Sequence, residues 1–392
     1  MKNWRSSSSC PLSLTACDVH RLISVQLARL LPNIVAGYSC DQQTVSDIVV
    51  KASVDGTAIE STCNALENAP TGMTVRTYLN EALSVTALPE IECQIQIQLR
   101  ADLPRRLWKG LLDLAMDFHD EPFYGKDPTL CAYACRGEAH QGTTWFYRVA
   151  TVYVIHHQIP YTLGMVFLLP EYSDLDVLKA LLVQVEALKL QIRGLCLDKG
   201  FCGKQVITFL KDKPYESIIA CPIRGKKGGT RSLCTGRKSY FSDYTFSTGK
   251  PEAYTASLAV VHTYEKRHGK KHAVWLLYAI VNVQTQNAQA IRARYRSRFG
   301  IETGYRCMRQ THAMTTSRNP ALRFFLLGVA FLITNLWSVL RWRYCQRPRR
   351  GGRIVDLKTY ELQRHLQFLA QAIDKLYHPV GAIRAQVTPL NP

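Results

Sequence analysis

The chain contains 392 residues, of which 47% are hydrophobic and 20% are charged. This composition excludes disordered and fibrous classes and predicts a folded globular protein with two or three domains. A formal net charge of +19 indicates a polyanionic partner, either nucleic acid or an acidic membrane surface. The thirteen cysteines include no CxxC pair. Their nearest approach to a metal-binding spacing, Cys131-x3-Cys135, does not favour a zinc site.

The first twenty residues, MKNWRSSSSCPLSLTACDVH, are positively charged but contain no continuous apolar segment. This pattern predicts no secretory signal. Without export, the cysteines are expected to be reduced thiols in a cytoplasm.

Residues 1–104 are predicted to form a helical domain, with amphipathic spacing at 19–31 and 44–52. The second helix is followed by a turn containing Gly56 and by a polar helix at 57–66, which is the outline of a helix-turn-helix. The polar helix contains no Arg or Lys, and any small helical bundle includes such a pair. DNA recognition and a structural or dimerisation role therefore both stay open.

From residue 111 the pattern changes to apolar runs that are typical of strands. The expected order is three strands, a helix, a strand, a helix and a strand, at 111–118, 145–156, 161–169, 174–190, 194–197, 203–210 and 217–223. This order is typical of a ribonuclease H-like α/β domain, a mixed sheet with helices against its faces. Residues 105–224 are assigned to the first part of that domain.

Two aspartates lie at strand ends of the predicted sheet. Asp117 is near the end of the first strand and Asp198 ends the fourth. These strands are neighbours in such a fold, so the carboxylates would project side by side. Asp113 and Asp120 compete with Asp117, since Asp113 shares its strand face and Asp120 approaches the turn at Pro122. An Asp at a strand end also commonly makes a turn bond or caps a helix.

Residues 225–285 are predicted to form a β-rich insertion that opens with a basic, glycine-rich loop, GKKGGTRSLCTGRKSYF. Alternation at 273–283 indicates a strand. The loop is either a solvated face or a contact for a phosphate backbone. Its cations are Lys226, Lys227, Arg231, Arg237 and Lys238.

Residues 286–343 are predicted to be helical, and within them the stretch 291–309, IRARYRSRFGIETGYRCMR, places one acid among basic and aromatic residues. Taken alone, Glu302 is an ordinary helical partner for nearby arginines. Gly300 and Gly304 each cost the helix about 1 kcal/mol relative to Ala, which indicates that another backbone or a ligand comes close. At 100° per residue, one narrow sector contains Tyr295, Arg298, Glu302 and Arg309.

Residues 321–342, ALRFFLLGVAFLITNLWSVLRW, have the length of a membrane-spanning helix. Because Arg323 and Asn335 interrupt the apolar run, a buried core helix that covers the sheet is favoured and no membrane partner is expected. Residues 344–392 are predicted to form a basic C-terminal tail and helix. The basic segment RWRYCQRPRRGGR is expected to be flexible, with nonspecific DNA contact as a second role.

The four residues in the helical sector resemble the Tyr-x2-Arg-x3-Glu-x6-Lys signature of DDE transposases in the insertion-sequence-four superfamily. Arg309 departs from it, because the family usually has Lys at that position. The resemblance covers about residues 105–342. In that family the Glu is the last of three metal-binding acids, and a β insertion commonly precedes it.

The family resemblance extends to both candidate aspartates. In the family's first-acid strand an Asp is followed by Pro, aromatics and Gly, and here Asp117 precedes Pro122, Tyr124 and Gly125. This favours Asp117 over its two competitors. Asp198-Lys199-Gly200-Phe201 resembles the second-acid turn, in which a small loop leads into a helix.

The resemblance implies a DNA transposase that cleaves at the ends of its insertion sequence and transfers them to target DNA. Asp117, Asp198 and Glu302 would bind two Mg²⁺ or Mn²⁺ ions per active site, and Tyr295, Arg298 and Arg309 would contact DNA. The implied partners are transposon ends, target DNA and further copies of the chain, in a homodimer or larger synaptic complex. The implied location is cytoplasmic and nucleoid-associated, in a prokaryote.

Three alternatives stay open at the level of sequence. One is a metal-dependent nuclease or domesticated transposase derivative that cuts without joining. Another is a noncatalytic DNA-binding protein in which the acids are structural. The third, an integral membrane protein, rests only on the helix at 321–342.

Overall fold

The computed structural model describes residues 13–32, 34, 37, 40–156, 159–246, 253–267, 269–350 and 352–382. Within these ranges, the side chains of residues 267, 299, 301–303 and 352 lie outside the description.

The described helices fall into an N-terminal group, a group flanking the sheet and a C-terminal group. In chain order they are α1 (Ala16–Leu30), α2 (Gln42–Asp55), α3 (Ile59–Asn64), α4 (Gly72–Ala82), α5 (Leu88–Ala101), α6 (Arg105–Trp108), α7 (Pro128–Cys131), α8 (Asp174–Glu186), α9 (Lys204–Lys211), α10 (Ala288–Arg296), α11 (Phe299–Arg309), α12 (Pro320–Tyr344) and α13 (Leu362–Tyr377).

The described strands are β1 (Leu112–Pro122), β2 (Cys135–His140), β3 (Thr143–Ile155), β4 (Tyr161–Leu168), β5 (Ile192–Leu197), β6 (Glu216–Cys221), β7 (Tyr240–Phe246), β8 (Tyr254–Arg267), β9 (Lys270–Val281), β10 (Gln346–Arg349) and β11 (Gly352–Val355).

One large mixed sheet organises the described part of the chain. Its strand order is β2-β3-β1-β5-β6-β9-β8-β7, and β4 also pairs with β3. The central strand β1 runs parallel to β5 and antiparallel to β3, and β5 runs parallel to β6. The first and fourth predicted strands, which are β1 and β5, are neighbours as expected, and the predicted fold class is confirmed.

The insertion continues this same sheet. β9 pairs antiparallel with β6 from Ser217 opposite Val281 to Cys221 opposite Leu277, and the insertion's other strands follow outward as β8 and β7. The predicted β-rich character is confirmed. Because β6 is paired on both sides, the insertion removes what would otherwise be an exposed sheet edge.

Helix α12 forms the centre of the main hydrophobic core. It has the length and hydropathy of a membrane span, and its most apolar window is entirely buried inside the protein. Its interrupting polar residues bind the sheet: Arg323 donates to the carbonyl oxygens of Ser317 (2.6 Å) and Pro122 (2.7 Å), and Asn335 bonds both backbone groups of Thr162. The helix is therefore a core helix, as its sequence favoured.

The N-terminal helices pack against α12 and α13. In α2, residues 45–53 are buried, and Lys51 pairs with Asp55 (3.1 Å) and with Asp374 on α13 (2.8 Å). Gly56 ends α2 in the left-handed region at φ 61°, which suits a residue without Cβ. The outline of helix, glycine turn and helix is therefore present, while its role in DNA recognition stays a prediction.

Two local predictions differ from the structure. The basic segment expected to be flexible contains the paired strands β10 and β11. The single helix expected over 291–309 is instead α10 and α11, separated by Ser297 and Arg298. There the backbone amides of Ser297, Arg298 and Gly300 each bond the carbonyl three residues earlier. These bonds form a tighter turn between the two helices.

Candidate active site

The parallel pairing of β1 and β5 places two carboxylates side by side. Met116 opposite Leu197 is the last pair of this ladder, so Asp117 and Asp198 each follow it directly. β1 itself continues to Pro122 because β3 still pairs with it there, which puts Asp117 within the strand rather than at its end. Asp198 begins a short 3-10 turn over Lys199–Phe201.

Phe118 and Phe201 hold the turn against the strand. Their rings stack with centroids 4.8 Å apart, and Phe201 is fully buried. A side chain at position 200 would have little room, since a Cβ on Gly200 would lie 3.1 Å from the Phe118 ring. The small residue in the Asp-Lys-Gly-Phe segment therefore allows the turn to pack closely beside Asp117.

A single buried arginine joins the two carboxylates. Nη1 of Arg298 donates to Oδ2 of Asp117 at 3.0 Å, and Nη2 lies 3.8 Å from Oδ1 of Asp198. The Arg298 side chain is only 8% exposed, and its guanidinium lies 5.1 Å from the centroid of the Tyr295 ring. The helical break at residues 297–298 thus brings the motif's arginine between the predicted first and second acids.

Burial makes the ionised form of Asp117 costly. Burial raises the pKa of its carboxyl to about 6, and the charge of Asp198 adds to this, although Arg298 and the amide of Phe118 oppose it. Oδ1 of Asp117 accepts a hydrogen bond from that amide at 3.0 Å. A carboxylate whose pKa stays raised even beside an arginine can be stabilised in its ionised form by a further cation.

The two other aspartates on β1, Asp113 and Asp120, are paired with arginines. Asp113 accepts hydrogen bonds from Arg193 and Arg294. Burial alone would raise the pKa of Asp113, but these two guanidinium groups outweigh it and hold the pKa below its ordinary value. Asp120 is held by Arg148 through two bonds of 2.7 and 3.0 Å. Asp117 is the β1 aspartate that faces Asp198.

Tyr295 is placed as a support for the site. It is 7% exposed, its hydroxyl donates to the carbonyl oxygen of Leu197 at 3.3 Å, and its ring packs 4.8 Å from that of Tyr278. It therefore fixes α10 against the end of β5, directly before Asp198.

Helix α11 carries the predicted third acid. Glu302 lies in this helix, but its side chain falls outside the described residues. One turn later the hydroxyl of Tyr305 contacts Thr151 (2.6 Å) and donates to the carbonyl oxygen of Asp117 (3.3 Å). Tyr305, which the sequence analysis missed, thus anchors the Glu302 helix to the Asp117 strand. Arg309 is exposed at the end of α11.

The two glycines of α11 leave room for the aromatic ring of Tyr153. A Cβ on Gly304 would lie 3.0 Å from the Tyr153 ring, and one on Gly300 would lie 3.6 Å from it. The close neighbour indicated by these glycines is therefore a side chain of β3. His119, next to the candidate acids, pairs with Glu121 at 2.8 Å and stacks on Tyr305 at 5.5 Å, which is a packing role.

A groove of about 650 Å³ leads away from Asp198. One wall comes from the insertion strands, and the other from α10. Exposed Tyr264 and partly buried Trp275 supply aromatic surface. Neither aromatic residue was expected at the site from the sequence. The cations lining the groove are Lys199, Lys266, Arg292 and Arg296.

The basic loop lies on the surface. All five of its cations are exposed, and within the described part of the chain they form no ion pair with an acid. Nε of Arg231 donates to the carbonyl oxygen of Gly225 at 2.6 Å, which closes the loop on itself. The location is compatible with both roles considered for the loop.

Among the described residues, no group of three or more His, Cys, Asp or Glu side chains is arranged to hold a metal ion. The described carboxylates at the candidate site are Asp117 and Asp198. Oxygen donors of this kind suit hard divalent cations.

No protein-family model matches the sequence, and no curated protein is significantly similar to it. Among solved structures, the chain is similar to a piggyBac transposase in a cryo-electron microscopy structure of its synaptic complex with hairpin DNA. The two share 12% identity with a TM-score of 0.50, over 95% of this chain and 74% of that chain. At this identity the similarity shows a transposase-type fold.

Proposed function

We propose that this chain is a DDE-type DNA transposase, which cleaves DNA at the ends of a mobile element and joins those ends to target DNA. The observation that carries the proposal is the convergence of Asp117 and Asp198 on Arg298, beneath the helix that contains Glu302. The transposase-type fold supports it, and the motif at 295–309 favours the insertion-sequence-four superfamily.

The donor set fits two Mg²⁺ or Mn²⁺ ions. Asp117, Asp198 and Glu302 would hold these ions through their carboxylate oxygens. Burial is the main cause of the raised pKa of Asp117, and it makes the ionised carboxylate costly unless a cation binds it. When bound, such ions supply activation of a water or 3′-hydroxyl and stabilisation of the leaving oxygen.

The protein's own residues prepare these carboxylates. Arg298 holds Asp117 and Asp198 in one orientation, a role that its present contacts support better than direct phosphate binding. Tyr305 and Tyr295 fix the two backbone segments that carry the acids. Such prior ordering lowers the reorganisation needed when DNA arrives.

The groove beside Asp198 provides a path for the DNA strand. Its lysines and arginines would neutralise phosphates, and Tyr264 and Trp275 offer surfaces against which bases stack. The piggyBac neighbour was solved as a synaptic complex with hairpin DNA, which supports DNA as a partner and assembly as a dimer or larger complex. A cytoplasmic, nucleoid-associated location in a prokaryote is part of the same proposal.

A plasmid assay tests the chemistry. The substrate carries the DNA that flanks the reading frame, where the proposal predicts inverted repeats, and strand cleavage and strand joining are measured separately with Mg²⁺ or Mn²⁺. Asp117→Ala, Asp198→Ala and Glu302→Ala should each abolish cleavage and leave DNA binding largely intact. Since one shared site is disabled each time, a double variant should be no worse than a single one.

The matched control is Asp120→Asn, which alters a carboxylate on the same strand but on its opposite face. It should cleave and join DNA almost normally. Near-normal cleavage by any of the three alanine variants would refute this triad. Cleavage without any joining by the unaltered protein would instead indicate a nuclease.

A further inference from the structure

A second cavity, of about 490 Å³, lies between α11, α12 and the strands β3 and β4. Gly300, Gly304 and Cys307 of α11 line it, whereas Tyr305 on the adjacent face of that helix contacts Asp117. The cleft therefore adjoins the Glu302 helix, and its described lining includes neither Asp117 nor Asp198.

Arg341 of α12 lines this cleft as a buried cation, and no acid among the described residues pairs with it. It is only 6% exposed. In the described part of the chain its guanidinium forms no ion pair and no hydrogen bond, and its Nε is buried. Burial lowers the pKa of Arg341, and the nearby Cys307, Cys345 and Tyr153 oppose this effect only in part. Desolvating an unpaired charge is costly, so the free protein is poised to gain an anion here.

The surroundings of Arg341 restrict which anion fits. Its guanidinium lies 4.1 Å from the Trp337 ring centroid, so it is held in one plane. Ser338, one turn before it on α12, also lines the cleft, and its hydroxyl has no hydrogen-bond partner among the described residues. Arginine combined with a hydroxyl donor matches the several acceptor oxygens of a phosphate.

Exposed Arg296 connects the cleft to the candidate active site. It lines both this cleft and the groove that contains Asp198. A phosphate chain that follows the groove would therefore meet Arg296 before it reaches Arg341. The remaining wall of the cleft is mainly apolar and includes Tyr153 and Trp337, which suits an organic group attached to the phosphate.

We propose that this cleft binds a nucleotide, with its phosphate on Arg341 and Ser338 and with Arg296 at the entrance. The anion site is inferred from Arg341, whose guanidinium has no acidic partner among the described residues. The choice of a nucleotide as the anion rests on the proposed function. Occupancy would also pack the Gly300 and Gly304 face of α11, and so would stabilise the helix that carries Glu302.

Binding to the full-length protein without divalent cations tests this proposal. The probes are inorganic phosphate, deoxyadenosine monophosphate and a deoxytrinucleotide, and the readouts are titration calorimetry and melting temperature. Arg341→Met should weaken binding of the mononucleotide roughly tenfold to a hundredfold, because a charge-assisted bond is lost. Arg341→Lys should retain an intermediate affinity. Arg343→Met, an exposed arginine on the same helix, is the matched control and should bind normally.

The ligand-free proteins provide a second, independent measurement. If Arg341 is an unsatisfied ligand-binding group, Arg341→Met should melt at a higher temperature than the unaltered protein, because a buried charge is removed. Tighter binding of the trinucleotide than of the mononucleotide would identify a DNA strand as the source, and equal binding would identify a free nucleotide.

Two binding results would overturn the proposal. The first is no binding of the mononucleotide to the unaltered protein, and the second is equal binding to the unaltered protein and to Arg341→Met. A lower melting temperature of Arg341→Met would also contradict it, since Arg341 would then be structural. Because the assay involves neither a metal nor cleavage, none of these results affects the assignment of the DDE acids.

Discussion

Replacing Glu92 with Gln should stabilise the protein at pH 8 and change its stability little at pH 5. Glu92 lies on α5, and its Oε2 accepts a hydrogen bond from the amide of Phe167 on β4 at 2.7 Å. Burial raises the pKa of Glu92 from 4.5 to about 7, and that hydrogen bond only partly opposes the effect.

The sign follows from proton binding. The folded state holds the Glu92 proton more tightly than the unfolded state, so stability is lost as pH rises from 4.5 through about 7. At 1.36 kcal/mol per pH unit, the loss is about 3 kcal/mol by pH 8 and less than about 1 kcal/mol at pH 5. Gln cannot ionise, and its side-chain oxygen can still accept from Phe167.

Urea unfolding at both pH values measures the free energy of unfolding of each protein. The control is Glu90→Gln, an exposed residue two positions earlier on α5, for which no such pH-dependent gain is expected. An advantage of Glu92→Gln that is the same at pH 5 and pH 8 would refute the reasoning, because it would not come from ionisation.

Three further predictions concern DNA and the site. Neutralising the five loop cations together should weaken the salt dependence of duplex binding. In a binding titration, the logarithm of the association constant falls with log[salt] by about 0.9 per phosphate contacted, and an unchanged slope would show that the loop is a solvated face. Arg309→Lys should retain joining, whereas Arg309→Ala should lose it and weaken binding of cleaved ends by roughly 1 to 3 kcal/mol in gel-shift titrations; unimpaired joining by the alanine variant would make Arg309 a surface charge. Tyr305→Phe should lower the free energy of unfolding by about 1 to 2 kcal/mol and slow cleavage. The control is Tyr124→Phe, because the Tyr124 hydroxyl bonds an exposed carbonyl; equal effects of the two substitutions on stability and cleavage would show that Tyr305 does not support the site.

Local pattern was sufficient for most elements of the sheet. The apolar runs that became β1, β3, β4, β5 and β6 were predicted because buried strands need continuous apolar side chains. β2, with the sequence CRGEAH, was missed because it is short and polar. The full length of β1 could not be predicted either, since its last residues are strand only through pairing with β3.

The site required contacts between distant parts of the chain. Sequence could not exclude Asp113 and Asp120, because the arginines that occupy them lie far away, at 193, 294 and 148. Likewise, Ser297 and Arg298 are compatible with an unbroken helix by local preference. The turn that separates α10 from α11 accompanies contacts of Arg298 with two carboxylates that lie far away in the sequence.

The pairing of β9 with β6 makes the insertion an inseparable part of the catalytic sheet. Synthesis of the chain releases β6 about fifty residues before β9, so the edge of β6 stays open until residues 270–281 emerge. A deletion of 225–285 would leave that edge permanently unpaired and prone to associate with other chains. Exchange of this region between related proteins should therefore be made within the outer hairpin of β7 and β8, with β9 kept in place.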